Sequence, residues 1–277
     1  GLVPLHDFRM TLPFDEELIL GGYVSRIFPL LLALIILQLE SKFTYLLICL
    51  LLILADVLVF MSGERTAVGL MLLSTLYIIV FISKYRLIRF ITLIISLIVI
   101  FSITIFIPEI KEKNIDRTIT QLGLDSESDK LNLISYQHES HFIGAWNMFK
   151  SKPLIGVGVN QFRNQCGNQE YNHDIQTCST HPHNTYIQLL AETGIIGFLF
   201  LVSILLYFVK VSLAQLYSMM FKNKNLITDY QVCIIAAIML TIWPILPTQN
   251  IFNNWINVIY FLPVGFYLHS IFENIEY

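Results

Sequence analysis

Long apolar stretches alternate with shorter polar segments along most of the chain. Seven apolar runs approach the roughly 20 residues that an α-helix needs to cross a bilayer core of about 30 Å. They cover residues 23–39, 43–61, 66–82, 88–107, 194–214, 229–246 and 255–272. The pattern predicts an all-α polytopic membrane protein with about seven transmembrane helices. The long polar interval 108–183 predicts one large extramembrane loop.

Residues 138–150 of this loop combine histidines with apolar side chains at spacings of three and four. The residues that recur in this way are His138, His141, Phe142, Ala145, Trp146 and Phe149. Such spacing predicts an amphipathic helix that lies on the membrane or across the mouth of the helix bundle. Pro153 ends that helix, and Gly156 and Gly158 predict a compact turn after it.

The composition agrees with the membrane class. Of the 277 residues, 55% are hydrophobic and 13% are charged, and the mean hydropathy is +0.66. Soluble domains carry about twice that share of charged residues. The chain has no basic run, so we expect no nucleic-acid partner.

The positions of basic residues predict the topology. Lysines and arginines follow the first, third and fifth apolar runs, which the positive-inside rule assigns to the cytoplasm. They are Lys42, Lys84, Arg86, Arg89, Lys210, Lys222 and Lys224. We therefore expect an outer segment 1–22, four transmembrane helices in 23–107, an outer loop domain 108–183, and three transmembrane helices in 184–277. Because the chain begins with Gly1 and has no signal-like segment, we expect it to be the C-terminal portion of a longer protein.

Two cysteines lie 12 positions apart in the outer loop, Cys166 and Cys178. An oxidising compartment permits them to form a disulfide. The alternative is two free thiols in a reducing compartment, which would invert the predicted topology.

Five of the seven histidines lie in this loop: His138, His141, His173, His181 and His183. His183 and Asn184 directly precede an apolar run. A neutral imidazole at the rim of a membrane span can take a proton from a substrate hydroxyl. A zinc site is the alternative, but neither HExxH nor CxxC is present, so we expect no metal and no cofactor.

Arginines lie at the same predicted face. Arg65 follows Ser62, Gly63 and Glu64 in the turn between the second and third runs. A guanidinium binds phosphate oxygens bidentately, although an interfacial arginine can also simply extend to the headgroups. The same alternatives hold for Arg26, a few residues inside the first run. Arg9 and Arg163 lie in outer segments.

These residues carry a family resemblance. His183-Asn184, followed after nine residues by Gly194-x-x-Gly197, closely resembles the signature of the bacterial O-antigen ligase and O-antigen polymerase family. Lys152 to Gly158 and Phe162-Arg163 look like the segment that precedes it. Arg65 in Ser-Gly-Glu-Arg-Thr-Ala is similar to an arginine of the family, as is Arg9 with its following segment. The resemblance spans most of 9–260.

The chain departs from the family pattern at two places. After Arg65 the leucine falls at Leu70, one position later than in the ligases. On the 138–150 helix, where many members have an arginine, this chain has His138 and His141. Because of these two departures, the resemblance does not separate a ligase from a polymerase.

The resemblance implies a metal-independent glycosyltransferase in the bacterial inner membrane, with its loop and active site facing the periplasm. The enzyme would transfer a glycan from undecaprenyl pyrophosphate to a sugar hydroxyl, either on lipid A–core or on a lipid-linked repeat unit. His183 would be the general base, and Arg65 would stabilise the pyrophosphate. The implied substrate-binding residues are Arg9, Arg26, His138, His141, Arg163, His181 and Asn184.

Two other function classes compete with this interpretation. A polysaccharide or lipid transporter without catalysis would place polar residues in mid-membrane, where this chain offers Asp56 and a few hydroxyls. A membrane protease or metallohydrolase would need a nucleophile elbow or HExxH, and the chain has neither.

Overall fold

The computed structural model describes residues 5–6, 9–10, 19–37, 42–116, 118–119 and 136–272. Within these ranges an antiparallel pair of two-residue strands, β1 (Leu5–His6) and β2 (Arg9–Met10), precedes a series of helices. The helices are α1 (Leu20–Leu37), α2 (Lys42–Met61), α3 (Arg65–Phe81), α4 (Arg86–Phe106), α5 (Pro108–Lys111), α6 (Tyr136–Ser151), α7 (Phe162–Gln165), α8 (Thr185–Phe221), α9 (Asp229–Thr241), α10 (Asn254–Tyr260) and α11 (Leu262–Phe272). A π-helical turn, Glu112–Asp116, follows α5. The described part of the chain is thus helical apart from the short hairpin, in agreement with the predicted fold class.

Three described helices are long and apolar enough to cross a membrane: α1, α4 and α8. Shorter apolar helices cover Tyr45–Met61, Arg65–Phe81, Asp229–Thr241 and Ile256–Phe272. These seven segments coincide with the seven predicted runs. The count of seven spans stays a prediction, because only α1, α4 and α8 are identified as long and apolar enough among the described residues.

The helix at the fifth run differs most from its prediction. The run 194–214 predicts a helix that begins near Gly194, whereas α8 has 37 residues and begins at Thr185. Gly194 lies inside it as a kink, with φ 66° and ψ −161°. The predicted span 229–246 also ends early, at Thr241. Pro244 and Pro247 follow, and proline cannot continue a helix because it lacks the amide hydrogen.

The chain divides into two compact units. The first comprises residues 1–119, 212–241 and 260–277, and the second comprises 120–211 and 242–259. In the first unit, α1 packs against α2, α3 and α9, and α2 packs against α4.

A buried ion pair joins α2 and α4 and corrects one prediction. Arg89 was expected in a cytoplasmic loop, but it lies in the first turn of α4 and donates to both carboxylate oxygens of Asp56, at 2.8 Å each. Ser96 Oγ lies 2.8 Å from Asp56 Oδ2, and Arg89 also contacts the Thr75 hydroxyl. Both charges are buried. Arg89 therefore stabilises the helix packing, and its position gives no information about the membrane topology.

The second unit is built around α6, which confirms the helix predicted at 138–150. Its buried face packs Ala145 and Met148 into a small apolar core. The other members of that core are Val157, Phe162, Cys166, Tyr171 and Ala191. Burial of such side chains stabilises by about 25 cal/mol per Å² of apolar surface, so this core fixes α6 relative to α7 and the start of α8.

Candidate active site

Asn184 begins helix α8 and fixes the residue before it. Its Oδ1 accepts hydrogen bonds from the backbone N–H of Tyr186 (3.0 Å) and of Ile187 (3.2 Å), the arrangement of a helix N-cap. Its Nδ2 donates to the Pro244 carbonyl at 2.8 Å. The preceding His183 has a left-handed backbone with φ 57°. The buried Asn184 amide therefore positions His183.

Residues 242–250, which include Pro244, form further hydrogen bonds to His183 and to the first turn of α8. The Thr248 N–H donates to the His183 carbonyl at 2.9 Å, and the hydroxyls of Thr185 and Thr248 lie 2.7 Å apart. Tyr186 donates its hydroxyl hydrogen to the Ile242 carbonyl at 2.6 Å. Sequence reasoning did not show that this segment holds the start of α8.

His181 is bonded at both ring nitrogens. Its Nε2 lies 3.1 Å from the Thr248 carbonyl oxygen, and its Nδ1 lies 3.0 Å from the Thr180 hydroxyl. A carbonyl oxygen only accepts, so Nε2 carries the hydrogen and Nδ1 accepts from Thr180. His181 is thus a neutral, structural imidazole.

Four imidazoles converge at this point. The His183 ring centroid lies 5.2 Å from that of His138, 5.3 Å from that of His141 and 4.2 Å from that of His181. Helix α6 brings the first two together, since residues three apart share a face. His183 Nε2 lies 3.1 Å from Ser179 Oγ. Sequence reasoning missed Ser179, whose only signal was a hydroxyl four positions before His183.

His141 differs from its neighbours in its hydrogen bonding. It is 1% exposed, yet within the described part of the chain neither ring nitrogen forms a hydrogen bond of normal geometry, and only a weaker interaction with the Gln176 backbone reaches the ring. A buried polar atom without a partner costs about 1–3 kcal/mol. Such an atom in a native site calls for a ligand or a bound water.

Burial keeps the four histidines neutral. Burial, together with the smaller effect of the neighbouring imidazoles of His181, His138 and His141, lowers the pKa of His183 to about 3. Burial likewise lowers the pKa of His181 to about 4 and the pKa values of His138 and His141. At neutral pH each ring therefore offers one acceptor nitrogen and one N–H.

Arg163 and Glu192 flank the cluster on its own unit. Arg163 is exposed and donates to Asn160 Oδ1 at 2.9 Å, and its charge contributes to the low pKa of His181. The buried Glu192 accepts from the Phe162 N–H (2.7 Å) and from Gln188 Nε2 (3.0 Å). Glu192 therefore caps α7.

The two glycine-containing segments of the predicted signature pack against each other. The Val157 N–H donates to the Ala191 carbonyl at 2.9 Å, and the Ile195 N–H donates to the Pro153 carbonyl at 2.8 Å. A Cβ on Gly156 would lie 2.3 Å from the Glu192 carbonyl carbon, and one on Gly194 would lie 2.4 Å from the Leu154 carbonyl carbon. Both residues also have positive φ, so glycine is required at each for a backbone-to-backbone contact.

Cys166 and Cys178 are joined by a disulfide, with their Cα atoms 5.1 Å apart. The bridge closes the loop that leads to Ser179. Among the described residues, no group of three or more His, Cys, Asp or Glu side chains is arranged to hold a metal ion. Metal independence of the reaction stays a prediction.

The first unit carries the remaining arginines. Glu64 accepts from the N–H groups of Gly21 (2.6 Å) and Gly22 (3.0 Å) and so caps α1. Arg65 follows as the first residue of α3 and is exposed. Arg26 is buried, with its guanidinium carbon 4.9 Å from the Tyr260 ring centroid. The structure describes Arg9 only as part of β2.

Comparison of the chain with models of known protein families gives a match. A family model described as O-antigen ligase matches residues 47–202, which is more than half of the chain. The matched range contains Arg65, the four clustered histidines and the packed glycines. Arg26 and the segment 242–250 lie outside it. No curated protein matches the chain.

Proposed function

The chain belongs to the O-antigen ligase family, and from this premise we propose that it transfers a glycan from undecaprenyl pyrophosphate to a sugar hydroxyl at the periplasmic face of the bacterial inner membrane. The family supports a membrane glycosyltransferase that acts on lipid-linked glycans. The observation that carries the proposal is the convergence of neutral imidazoles on His183, whose carbonyl accepts from the Thr248 N–H and whose ring contacts Ser179.

His183 is proposed to be the general base. Its Nε2 is engaged by Ser179, which leaves Nδ1 to meet the acceptor. Ser179 would accept the Nε2 hydrogen and so hold the ring in the tautomer whose Nδ1 has a lone pair. A base that is oriented by a third group is the usual arrangement for proton abstraction.

The proposed reaction is a single displacement. The acceptor hydroxyl oxygen forms a bond to the anomeric carbon of the donor, and the bond from that carbon to the pyrophosphate oxygen breaks. The hydroxyl proton passes to His183 Nδ1, and undecaprenyl pyrophosphate leaves with the electron pair. His183 then returns the proton to solvent.

A bound anionic substrate would raise the pKa of His183 and so make it a stronger base. An imidazole with a pKa of about 3 is a weak base at neutral pH. A pyrophosphate bound nearby would stabilise the imidazolium, because an opposite charge within about 4–6 Å favours the charged form. His183 would therefore gain basicity only in the presence of donor.

The other predicted binding residues take different proposed roles. His138 and His141 would bind sugar hydroxyls, which suits the unsatisfied nitrogens of His141. Arg65, exposed at the start of α3, would bind the pyrophosphate, with Arg163 and Arg26 as further candidates. His181 and Asn184, whose polar atoms bond the protein itself, would position His183. Arg9 stays a predicted contact.

Purified protein in detergent tests the assignment with a lipid-linked glycan donor isolated from the source strain. Transfer is expected to survive a chelator, since arginines supply the positive charge. Arg65→Ala should weaken both donor binding and turnover, and Arg65→Lys should restore them only in part because the bidentate fork is lost. Activity that EDTA abolishes and zinc or magnesium restores would contradict metal independence.

The glycan profile of a deletion strain distinguishes the acceptors. Loss of long chains with single capped repeat units remaining indicates a polymerase. Long chains retained on undecaprenyl pyrophosphate indicate a ligase. A transporter would instead leave donor confined to the cytoplasmic leaflet, and purified protein would show no transfer.

A further inference from the structure

The surroundings of helix α8 change at its glycine kink. From Thr185 to Thr193 every side chain is buried or half-buried. Beyond Gly194 the helix exposes large apolar side chains, first Ile196, then Leu199 and Phe200. An exposed apolar face on a helix of spanning length is a lipid-facing surface. The edge of the hydrocarbon therefore lies close to Gly194.

A loop of the second unit is fastened to the helix at this level. The Pro153 carbonyl accepts from the Ile195 N–H at 2.8 Å, and the Gly158 N–H donates to the Glu192 carbonyl at 3.1 Å. The reciprocal packing of Gly156 and Gly194 leaves no space for a side chain between the two backbones. The loop consequently cannot shift along α8 without losing these contacts.

The tip of this loop is apolar and exposed. Leu154 is 67% exposed and Ile155 is 71% exposed, although Gly156 and the buried Val157 follow them directly. Two adjacent large aliphatic side chains held away from their own core mark an interaction surface. Their backbone contact with α8 makes this surface continuous with the lipid-facing side of that helix.

The residues before the tip have the chemistry of a membrane interface. Lys150 and Lys152 are exposed, and Trp146 is exposed one helical turn before Lys150 on the same face of α6. Tryptophan is enriched at the level of lipid headgroups, and lysines there reach lipid phosphates. Along the chain, aromatic and basic residues are followed by an apolar tip. This order is expected for a segment that enters a bilayer from water.

We propose that Leu154 and Ile155 insert into the lipid leaflet beside α8, with Lys150 and Lys152 at the level of the phosphates. The partner is the bilayer itself. Nine helical residues separate Asn184 from Gly194, a distance of about 14 Å at 1.5 Å per residue. The inserted loop thus fixes how far the histidine cluster is held from the hydrocarbon. This inference depends on α8 spanning the membrane and not on the proposed reaction.

Site-directed spin labelling tests the insertion. Ile155→Cys, Leu199→Cys and Ile175→Cys would each be made with Cys49→Ser and Cys233→Ser, labelled with a nitroxide and reconstituted in phosphatidylethanolamine–phosphatidylglycerol vesicles. Leu199 is the lipid-facing reference. Ile175 is the matched control, because it is a 98% exposed isoleucine of the same unit that lies in a polar turn.

Power saturation compares collisions with oxygen, which concentrates in lipid, and with a nickel chelate, which stays in water. The oxygen-to-nickel ratio at 155 is expected to match that at 199 and to exceed that at 175 several-fold. A ratio at 155 equal to that at 175 would overturn the proposal. As a second measurement, Ile155→Asp should lower the ratio of a label at Leu154→Cys, whereas Ile175→Asp should leave it unchanged; equal ratios in both variants would also overturn it.

Discussion

Two buried polar clusters, one in each unit, differ in how completely their atoms are bonded. In the first unit, both carboxylate oxygens of Asp56 accept from Arg89, and one also contacts Ser96. In the second unit, His141 is equally buried, but in the described part of the chain neither of its ring nitrogens forms a hydrogen bond of normal geometry.

The difference separates a structural cluster from a binding site. A buried charge pair with bidentate geometry holds helices in register, and nothing in it is left for a ligand. A buried imidazole that is incompletely bonded, as that of His141 is, lowers stability unless a substrate or water completes it. Burial of an ionisable residue alone would therefore mark both clusters as functional, whereas hydrogen-bond completeness favours a packing role for Asp56 and supports the proposed binding role of the histidines.

The largest expected effect is on turnover at the histidine cluster. His183→Ala should lower turnover by about 10²–10⁴, the usual contribution of a general base. Donor binding should change little, because the imidazole acts on the acceptor. Steady-state transfer and equilibrium binding of the lipid-linked donor, both with folded protein, measure the two effects separately.

His181→Ala is the matched control for this variant. It removes a neighbouring imidazole whose two nitrogens are bonded to Thr180 and Thr248, so it should lower thermal stability more than turnover per folded molecule. Near-normal turnover of His183→Ala would remove the base assignment and most of the proposed mechanism.

Substitutions in the Asp56–Arg89 ion pair should show the opposite pattern and lower stability rather than turnover. Asp56→Ala leaves Arg89 buried without its carboxylate, which should lower the free energy of unfolding by about 3–5 kcal/mol. The double variant Asp56→Leu, Arg89→Met should recover much of this loss, because no charge is then left unpaired. Unfolding by sodium dodecyl sulfate in mixed micelles measures the change. Asp56→Ala protein that is fully stable but inactive would place the ion pair in the reaction and erase the contrast.

Sequence periodicity predicted the helices well where the helical pattern lies within the segment itself. The apolar runs and the amphipathic helix around His141 follow from spacing, and the structure has helices at those positions. The predicted run 194–214 corresponds to the part of α8 beyond its kink at Gly194. Residues 185–193 are helical as well, because Asn184 caps this segment and because 242–250 bonds to its first turn. The segment 242–250 is distant in sequence, so no periodicity could show its contribution.

The candidate site was predictable in its residue types but not in its bonding. The histidine spacing and the family resemblance pointed to His183, Arg65 and their neighbours. The roles of Glu64, Ser179 and Thr248 depend on contacts that fold and backbone geometry create, such as the carbonyl of Thr248 against His181. For the same reason Arg89 looked like a loop residue, since its partner Asp56 is 33 positions away.

A smaller effect is expected at the bond between Cys166 and Cys178. Its reduction should lower the stability of the second unit by about 3 kcal/mol in the chain-entropy model of a short loop, and it should leave the Asp56–Arg89 cluster of the other unit intact. Maleimide labelling of intact protein with and without reductant reports the bond, and thermal unfolding reports its contribution. Equal labelling of both thiols without reductant would show that the disulfide does not form in the cell.

The smallest expected change at neutral pH comes from Ser179, which is proposed to orient His183. This change is also the most specific to the histidine cluster. Ser179→Asp would put a carboxylate beside Nε2, which should raise the pKa of His183 by about 1–3 units from its value near 3. A base works in its neutral form, so kcat/KM falls as the pH drops through the pKa of the free enzyme. The acid limb of the profile should therefore move to higher pH in Ser179→Asp and stay in place in Ser179→Asn, which has nearly the same shape without the charge. Coincident profiles for the two variants would mean that Ser179 does not contact the catalytic imidazole, and the hydroxyl would then belong with Asp56 and Arg89 among the groups that only stabilise the fold.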